Sequence, residues 1–156
     1  MSTQRKSANG KPLRGYENSL PIALLRTREA VMARFRPHLA SHDVTEQQWR
    51  AIRALAEYEA VDATTLSEIC CVMMPSLSRI LKTLESDGVI SRIKSDDDGR
   101  RQVIKLTAKG RKMFDEMSPR SAQIYAEIEQ EVGREEIDAI VSKLRQLQSR
   151  LNPSSE

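Results

Sequence analysis

The stretch from Met74 to Thr107 constrains the fold more than any other part of the chain. Its first half has helical spacing, with apolar residues at i, i+3, i+4 and i+7, namely Leu77, Ile80, Leu81 and Leu84. Gly88 is expected to end this helix, because glycine accepts the left-handed backbone of a helix C-terminus without steric cost. Residues 89–93 and 102–106 then read as two short strands. An Asp-Gly pair lies between them and is a hairpin signal.

The face of this helix opposite the apolar stripe carries short hydroxyls and long cations, namely Ser76, Ser78, Arg79, Lys82 and Thr83. Such side chains reach base edges and phosphates in DNA. Two arginines, Arg100 and Arg101, follow three aspartates at the tip of the hairpin. A helix followed by a basic-tipped hairpin is the outline of a winged helix-turn-helix. Its positioning helix is expected from Thr64 or Thr65 to Cys71.

The charge of the chain is modest but unevenly distributed. The 156 residues carry a net charge of +3. Residues 1–16 contain four Lys or Arg and no acid, and residues 76–107 contain seven Lys or Arg against five Asp or Glu. The position of the cations therefore indicates DNA binding more than their total does. The basic tail is either a solvated segment or an arm that touches DNA.

Composition disfavours several other classes of protein. With 39% hydrophobic and 30% charged residues, the chain is expected to form a globular domain with a real core. No apolar run approaches the roughly 20 residues of a membrane helix, and no apolar segment suggests a signal peptide. Two cysteines fit a reducing cytoplasm. No nucleophile elbow, phosphate loop or triad is found, so we expect neither an enzyme nor a cofactor.

Family resemblance rests first on the hairpin. Asp98-Gly99-Arg100, five residues and then Leu106-Thr107 match the D-x-R-x5-L-T signature of the MarR family of transcription regulators. Residues 75–79 and 84–89 resemble its recognition helix and the exit from that helix. Further motifs resemble the subgroup that regulates homoprotocatechuate and hydroxycinnamate breakdown, namely Leu24-Leu25, Arg28-Glu29-Ala30, Phe35-Arg36-Pro37 and residues 45–50. The resemblance covers roughly residues 18–151. One departure is Met73-Met74, where many members have a Ser or Thr cap.

The resemblance implies a mostly α fold with a small β-hairpin wing, which forms a homodimer through its N- and C-terminal helices. It implies a single domain over residues 17–151. Residues 1–16 are expected to form a disordered basic tail, and residues 152–156 a second disordered tail. Residues 45–107 would form the winged helix-turn-helix lobe, and residues 17–40 and 108–151 the two dimerisation regions. The last helix repeats apolar residues at heptad spacing, at Ile137, Ile140, Leu144, Leu147 and Leu151. That stripe needs a partner, and the resemblance favours a second chain over an intrachain one.

The resemblance also implies that the partner is double-stranded DNA with a pseudo-palindromic operator. Its expected contacts are Ser76, Ser78, Arg79, Lys82, Asp98, Arg100 and Arg101. Arg100 would enter the minor groove, where a narrow A·T tract attracts arginine, and Asp98 would pair with Arg100 and set its direction.

A ligand site is predicted from two arginines on apolar surroundings. Arg28 falls on the apolar stripe of the first helix, and Arg53 follows Trp49 by one helical turn in the second. A cation beside apolar walls suits a planar ring bearing a carboxylate, and Ser19 could bond a phenolic group. Alternatively, Arg28 pairs with an acid such as Glu29.

The predicted function follows from these sites and from the subgroup. The protein is expected to repress an aromatic-acid catabolic operon and to be released by a small aromatic acid. If that site is right, Arg28→Ala abolishes the response and leaves DNA binding intact.

Two rival interpretations remain open at this point. His38 and His42 have the i, i+4 spacing of paired metal ligands, and Cys70-Cys71 suggests a thiol sensor, so the same scaffold could sense a metal or an oxidant. Pro37 disturbs the helix beside the histidines, and adjacent cysteines are more simply small core residues. The other rival is a helical dimer with no DNA role.

Overall fold

The computed structural model describes residues 12–95 and 101–152. The chain forms two units, Met1–Arg36 and Pro37–Glu156, which divide inside the first helix. In chain order the elements are a 3-10 turn Tyr16–Asn18, α1 Leu20–Ala40, α2 Glu46–Tyr58, α3 Ala63–Cys70, α4 Met74–Ser86, β1 Ile90–Lys94, β2 Gln102–Leu106, α5 Ala108–Val132 and α6 Arg134–Leu151. Six α-helices and one two-stranded antiparallel sheet in the described ranges confirm the predicted fold class.

The first helix begins at Leu20, three residues into the 17–40 region that was expected to contribute to dimerisation. The preceding residues form a 3-10 turn, and Ser19 closes it with an extended backbone that cannot belong to a helix. The Arg26 guanidinium pairs with the Glu17 carboxylate and lies 5.8 Å from the centroid of the Tyr16 ring. These contacts hold the 3-10 turn against the side of α1.

The second unit has an apolar core to which four helices and one strand contribute buried side chains. The fully buried side chains include Ile52, Leu55, Leu66, Leu77, Leu81, Ile104, Met117 and Ile124. They come from α2, α3, α4, β2 and α5, so all of these elements meet in a single apolar interior. Helical periodicity in the sequence had indicated Leu77 and Leu81 among these positions.

Capping side chains fix the ends of the two helices before the recognition helix. Thr45 and Gln48 form a reciprocal capping box at the start of α2. The third helix begins at Ala63 rather than Thr64 or Thr65, because the Asp62 carboxylate accepts a hydrogen bond from the Thr65 amide at 2.9 Å. It ends at Cys70, and Cys71 adopts the left-handed conformation with φ of 50°.

The wing is an antiparallel hairpin whose pairs run from Ile90 opposite Leu106 to Lys94 opposite Gln102. The first strand begins at Ile90 rather than Val89, because the Val89 amide donates to the Leu84 carbonyl and so still belongs to the helix exit. Gly88 has the expected positive φ of 73°. Val61, before α3, exchanges two backbone hydrogen bonds with Ile104. The wing is therefore joined to the helix-turn-helix by main-chain bonds.

The long helix α5 starts at a close approach to the wing. Thr107 caps it by accepting from the Gly110 amide, and a Cβ added at Gly110 would lie 2.1 Å from the Val89 carbonyl oxygen. The helix is continuous through Pro119 and ends at Val132, and its C-cap residue Gly133 has a φ of 102°. No residue of α6 is buried in the single chain. No helix in the described ranges is long and apolar enough to cross a membrane.

Candidate DNA-reading surface and ligand pocket

The recognition helix α4 divides cleanly into two faces. Its apolar stripe is buried at Leu77, Ile80, Leu81 and Leu84. On the other side Ser78, Arg79 and Lys82 are exposed, and Ser76 is half-buried. The structure thus brings four of the predicted DNA-contacting side chains onto one outward face, and a polar, cationic helix face of this kind is suited to a major groove.

The turn between α3 and α4 is held by a residue that the sequence analysis did not select. The Arg50 guanidinium, from α2, donates to the Cys70 carbonyl at 2.7 Å. A cation at the C-terminal end of a helix satisfies an otherwise unpaired carbonyl and opposes the helix dipole. Arg50 therefore fixes the end of the positioning helix, and with it the direction in which α4 leaves the turn.

The recognition helix begins without a side-chain cap. Its N-cap residue is Met73, which makes no capping hydrogen bond, and Pro75 lies in the first turn. Met73 and Met74 are 78% and 41% exposed. The departure seen in the sequence is thus a missing cap rather than a shift of the cap to Ser76. First-turn amides without an intrahelical acceptor are suited to a phosphate oxygen.

Of the two wing arginines, Arg101 is among the described residues and Arg100 is not. Asp98 and Arg100, the predicted minor-groove pair, lie outside the described residues. Arg101 is exposed, and its guanidinium lies 3.7 Å from the Asp62 carboxylate, the cap of α3. The Thr65 amide is the main cause that holds the pKa of Asp62 below its ordinary value, and the positive charge of Arg101 acts in the same direction. Arg101 thus links the base of the wing to the positioning helix.

A pocket of about 220 Å³ opens between α2 and α5. It is lined by Trp49, Arg53, Phe114, Ser118, Ser121, Ala122 and Tyr125. The Trp49 and Phe114 rings stack with centroids 5.8 Å apart and form an aromatic wall. Two of the predicted ligand residues, Trp49 and Arg53, therefore lie in the same cavity. An apolar cavity of about 150 Å³ accommodates benzene, so this one has room for a single substituted ring.

The polar end of this pocket is formed by Arg53 and Tyr125. The Arg53 guanidinium donates to the Tyr125 hydroxyl at 3.3 Å and lies 5.9 Å from the centroid of that ring. A guanidinium has five N–H donors in a fixed fork, and this bond uses one of them. The geometry thus presents a preoriented cation and a phenol at one end of an aromatic cleft, an arrangement suited to a carboxylate.

The other two predicted ligand residues belong to the first unit. The Arg28 guanidinium lies 3.2 Å from the Glu29 carboxylate, which also pairs with Arg36 at 2.7 Å. This is the pairing that the sequence analysis gave as the alternative for Arg28. Ser19 lines a second pocket, of about 390 Å³, with Leu13, Arg14, Tyr16, Leu20 and Pro21.

The residues considered for metal or thiol chemistry have structural roles. His38 Nε2 contacts the Met117 carbonyl at 3.0 Å, and His42 Nδ1 lies 3.1 Å from the His38 carbonyl. No group of three or more metal-ligating side chains occurs within the described ranges. Cys70 and Cys71 are both free, and burial raises the pKa of the Cys70 thiol.

Comparisons with known proteins agree with this geometry. The MarR family profile matches residues 44–102, the part that contains the helix-turn-helix and the first strand of the wing. The chain is 37% identical over 144 residues to the HTH-type transcriptional regulator FarR of Neisseria gonorrhoeae, which covers 90% of this chain and 99% of the relative. It is 37% identical over 129 residues to the homoprotocatechuate degradative operon repressor of Escherichia coli, over 83% of this chain and 87% of the relative.

A solved structure extends the agreement to the whole fold. NadR in complex with 4-hydroxyphenylacetate superposes with a TM-score of 0.76 at 37% identity, over 86% of this chain and 100% of NadR. The relatives match nearly along their full length, and the family profile matches the segment that carries the recognition helix. The chain therefore belongs to the MarR family of DNA-binding transcription regulators.

Proposed function

We propose that this protein is a homodimeric repressor of an aromatic-acid catabolic operon and that a small aromatic carboxylate releases it from DNA. The observation that carries the proposal is the Arg53–Tyr125 pair at one end of the Trp49–Phe114 pocket. It combines a cation with two aromatic walls in a cavity the size of one ring. Two relatives support the choice of effector, since one is named for the homoprotocatechuate operon and the other is bound to 4-hydroxyphenylacetate.

The proposed DNA contacts are Ser76, Ser78, Arg79, Lys82, Asp98, Arg100 and Arg101. The exposed face of α4 supports the helix contacts, because its long cations extend away from the core. The Arg101 side chain is 70% exposed and lies 3.7 Å from its carboxylate partner, so it is free to exchange this long contact for a phosphate. Asp98 and Arg100 rest on the family signature.

The proposed dimer is supported by apolar surface that one chain leaves open. Leu20 and Leu24 on α1 are 46% and 40% exposed, and Ile140 and Leu151 on α6 are 42% and 68% exposed. Apolar stripes at helical spacing are normally covered by a partner helix. A two-fold dimer would place two recognition helices on successive major grooves, with half-sites centred about 10 bp apart.

The effector would release the protein from DNA if it bound one arrangement of the dimer more tightly than the other. A ligand that binds both arrangements equally shifts nothing, however tightly it binds. The pocket lies between α2, which holds the positioning helix through Arg50, and α5, which leads to the dimerisation region. A ring wedged between these helices would change the spacing of the recognition helices. The site of action would be the cytoplasm, where the DNA is.

The test uses an operator selected by the protein from a random duplex library. Fluorescence anisotropy then measures affinity for that duplex with 4-hydroxyphenylacetate, protocatechuate and hydroxycinnamate at up to millimolar concentration. We expect at least one acid to lower operator affinity, and we expect Arg53→Gln to lose this response while binding the duplex normally. Arg28→Ala tests the other predicted ligand arginine, whose guanidinium pairs with Glu29. A variant that responds like the wild-type protein would remove Arg28 from the site. No response to any acid, or an Arg53→Gln variant that responds fully, would overturn the proposal.

A further inference from the structure

Two serines line the same pocket, but only one of their hydroxyls has a hydrogen-bond partner. Ser118 donates to the Phe114 carbonyl, four residues earlier in α5, at 2.6 Å. Ser121 is 7% exposed, and among the described residues its hydroxyl oxygen is the one buried side-chain polar atom that lacks a partner. Both serines are in the lining of the cavity.

The missing partner has a structural cause. A helical serine usually donates to the carbonyl four residues earlier, which for Ser121 is that of Met117. In a continuous helix this carbonyl already accepts from the Ser121 amide. It is also 3.0 Å from His38 Nε2, and a carbonyl can only accept, so the ring nitrogen donates to it. Both lone pairs of the Met117 oxygen are thus used, and the Ser121 hydroxyl cannot bond in the usual way.

An unsatisfied hydroxyl is costly in a protein interior, and a ligand that supplies a partner recovers that cost on binding. Rotation about the Cα–Cβ bond moves the Ser121 oxygen between staggered positions, and Ser121 lines the pocket. Ser121 precedes Tyr125 by one helical turn, which is about 6 Å along the axis of α5. In the rotamer present the Ser121 oxygen is shielded from solvent, so another rotamer is needed to bring it into the cavity, one turn along α5 from the cation and the phenol.

We infer that Ser121 determines specificity for the effector by bonding a hydroxyl that the ring carries at the end opposite its carboxylate. This inference rests on the proposed function, because it assigns the second polar contact of the same pocket. It narrows the effector class to single-ring acids with a ring hydroxyl. Unsubstituted aryl acids, and those with a methyl group at that position, would leave Ser121 unsatisfied and bind more weakly.

The experiment compares two acids of nearly the same shape, 4-hydroxyphenylacetate and 4-methylphenylacetate. Trp49 is the single tryptophan of the chain and lies in the pocket wall, so its fluorescence reports binding directly. We expect the wild-type protein to prefer the hydroxylated acid by roughly tenfold, the effect of one hydrogen bond to a buried group. Ser121→Ala should abolish or reverse this preference while it still binds the methyl acid. Alanine favours a helix more than serine does, so the variant should fold.

Ser118→Ala is the matched control, because it also removes a serine hydroxyl from this pocket, but one that already donates to the Phe114 carbonyl. It should keep the wild-type preference. If Ser121→Ala still prefers the hydroxylated acid tenfold, or if the wild-type protein binds both acids equally, the inference is wrong while the proposed effector class stands. If the wild-type protein binds neither acid, nor any acid of the wider panel, the proposed function fails and this inference fails with it.

Discussion

Arg79 is the long cation nearest the middle of the exposed face of α4. Its backbone carbonyl accepts a hydrogen bond from the Thr83 hydroxyl at 3.1 Å, one turn later in the helix. Arginine forms a bidentate pair with guanine O6 and N7, the commonest specific contact in the major groove. We predict that Arg79→Ala costs about 1–3 kcal/mol of operator binding and relaxes base preference at one position of each half-site. Anisotropy titrations against single-base operator variants measure this.

Lys82→Ala provides the comparison, one turn away on the same exposed face. A lysine that neutralises a phosphate contributes equally for every sequence, so its removal should lower affinity uniformly and reduce the salt slope by about one unit. If Arg79→Ala left the base preference unchanged, Arg79 would contact a phosphate, as is expected for Lys82, rather than a base.

At the scale of single residues, the sequence predicted two of the seven residues that line the pocket, both of them from α2. Trp49 and Arg53 were found because they are one turn apart on a single helix, and that spacing is visible in the sequence. Tyr125 was missed, since it is 72 residues from Arg53 and nothing in the local pattern says which face of α5 meets α2. Met117 and Ile124, which are two helical turns apart in α5, are buried. A tyrosine directly after a buried isoleucine was the available signal.

At the scale of elements, the start of α5 depends on a glycine that the sequence analysis did not consider. An alanine Cβ at position 110 would lie 2.1 Å from the Val89 carbonyl oxygen and 3.1 Å from a methyl group of Leu106. The first atom belongs to the backbone and cannot rotate away. We therefore predict that Gly110→Ala destabilises the fold by about 1–3 kcal/mol, although alanine alone would favour the helix by about 1 kcal/mol. Urea unfolding measures the difference.

Gly15→Ala is the control for this prediction, since no atom lies within 4 Å of its added Cβ. It should leave the free energy of unfolding within about 0.5 kcal/mol of wild type. If Gly110→Ala were as stable as Gly15→Ala, α5 would not be held against the helix exit as the structure has it.

The elements themselves were predicted better than their ends. Every helix and both strands were expected, because apolar periodicity reports which residues face a core. The errors lie where a side chain or a turn competes with the helix. Asp62 starts α3 earlier than expected by capping it, and the 3-10 turn at Tyr16–Asn18 delays α1. Such local hydrogen bonds have no signature in periodicity.

At the scale of the whole molecule, DNA recognition depends on contacts that one chain cannot make. A pseudo-palindromic operator requires two recognition helices at a fixed spacing, so loss of the dimer should cost far more than loss of one contact. The apolar stripe of α6 is the part of the sequence that indicated a partner. Ile137, Leu144 and Leu147 are half-buried in the single chain, and no residue of this helix is buried there.

Leu144→Glu tests the assignment of this stripe to the dimer. The change puts a carboxylate in the middle of the heptad pattern, where an unpaired charge would be desolvated on association. Since Leu144 is only half-buried within its own chain, the variant should keep its fold, which circular dichroism and thermal unfolding check. Sedimentation velocity should show a dimer for the wild-type protein and a monomer for Leu144→Glu, and the monomer should lose specific operator binding. Ser142→Glu adds the same charge at an exposed position of α6 off the stripe and should remain a dimer. A Leu144→Glu variant that sediments as a dimer would exclude α6 as the dimerisation surface.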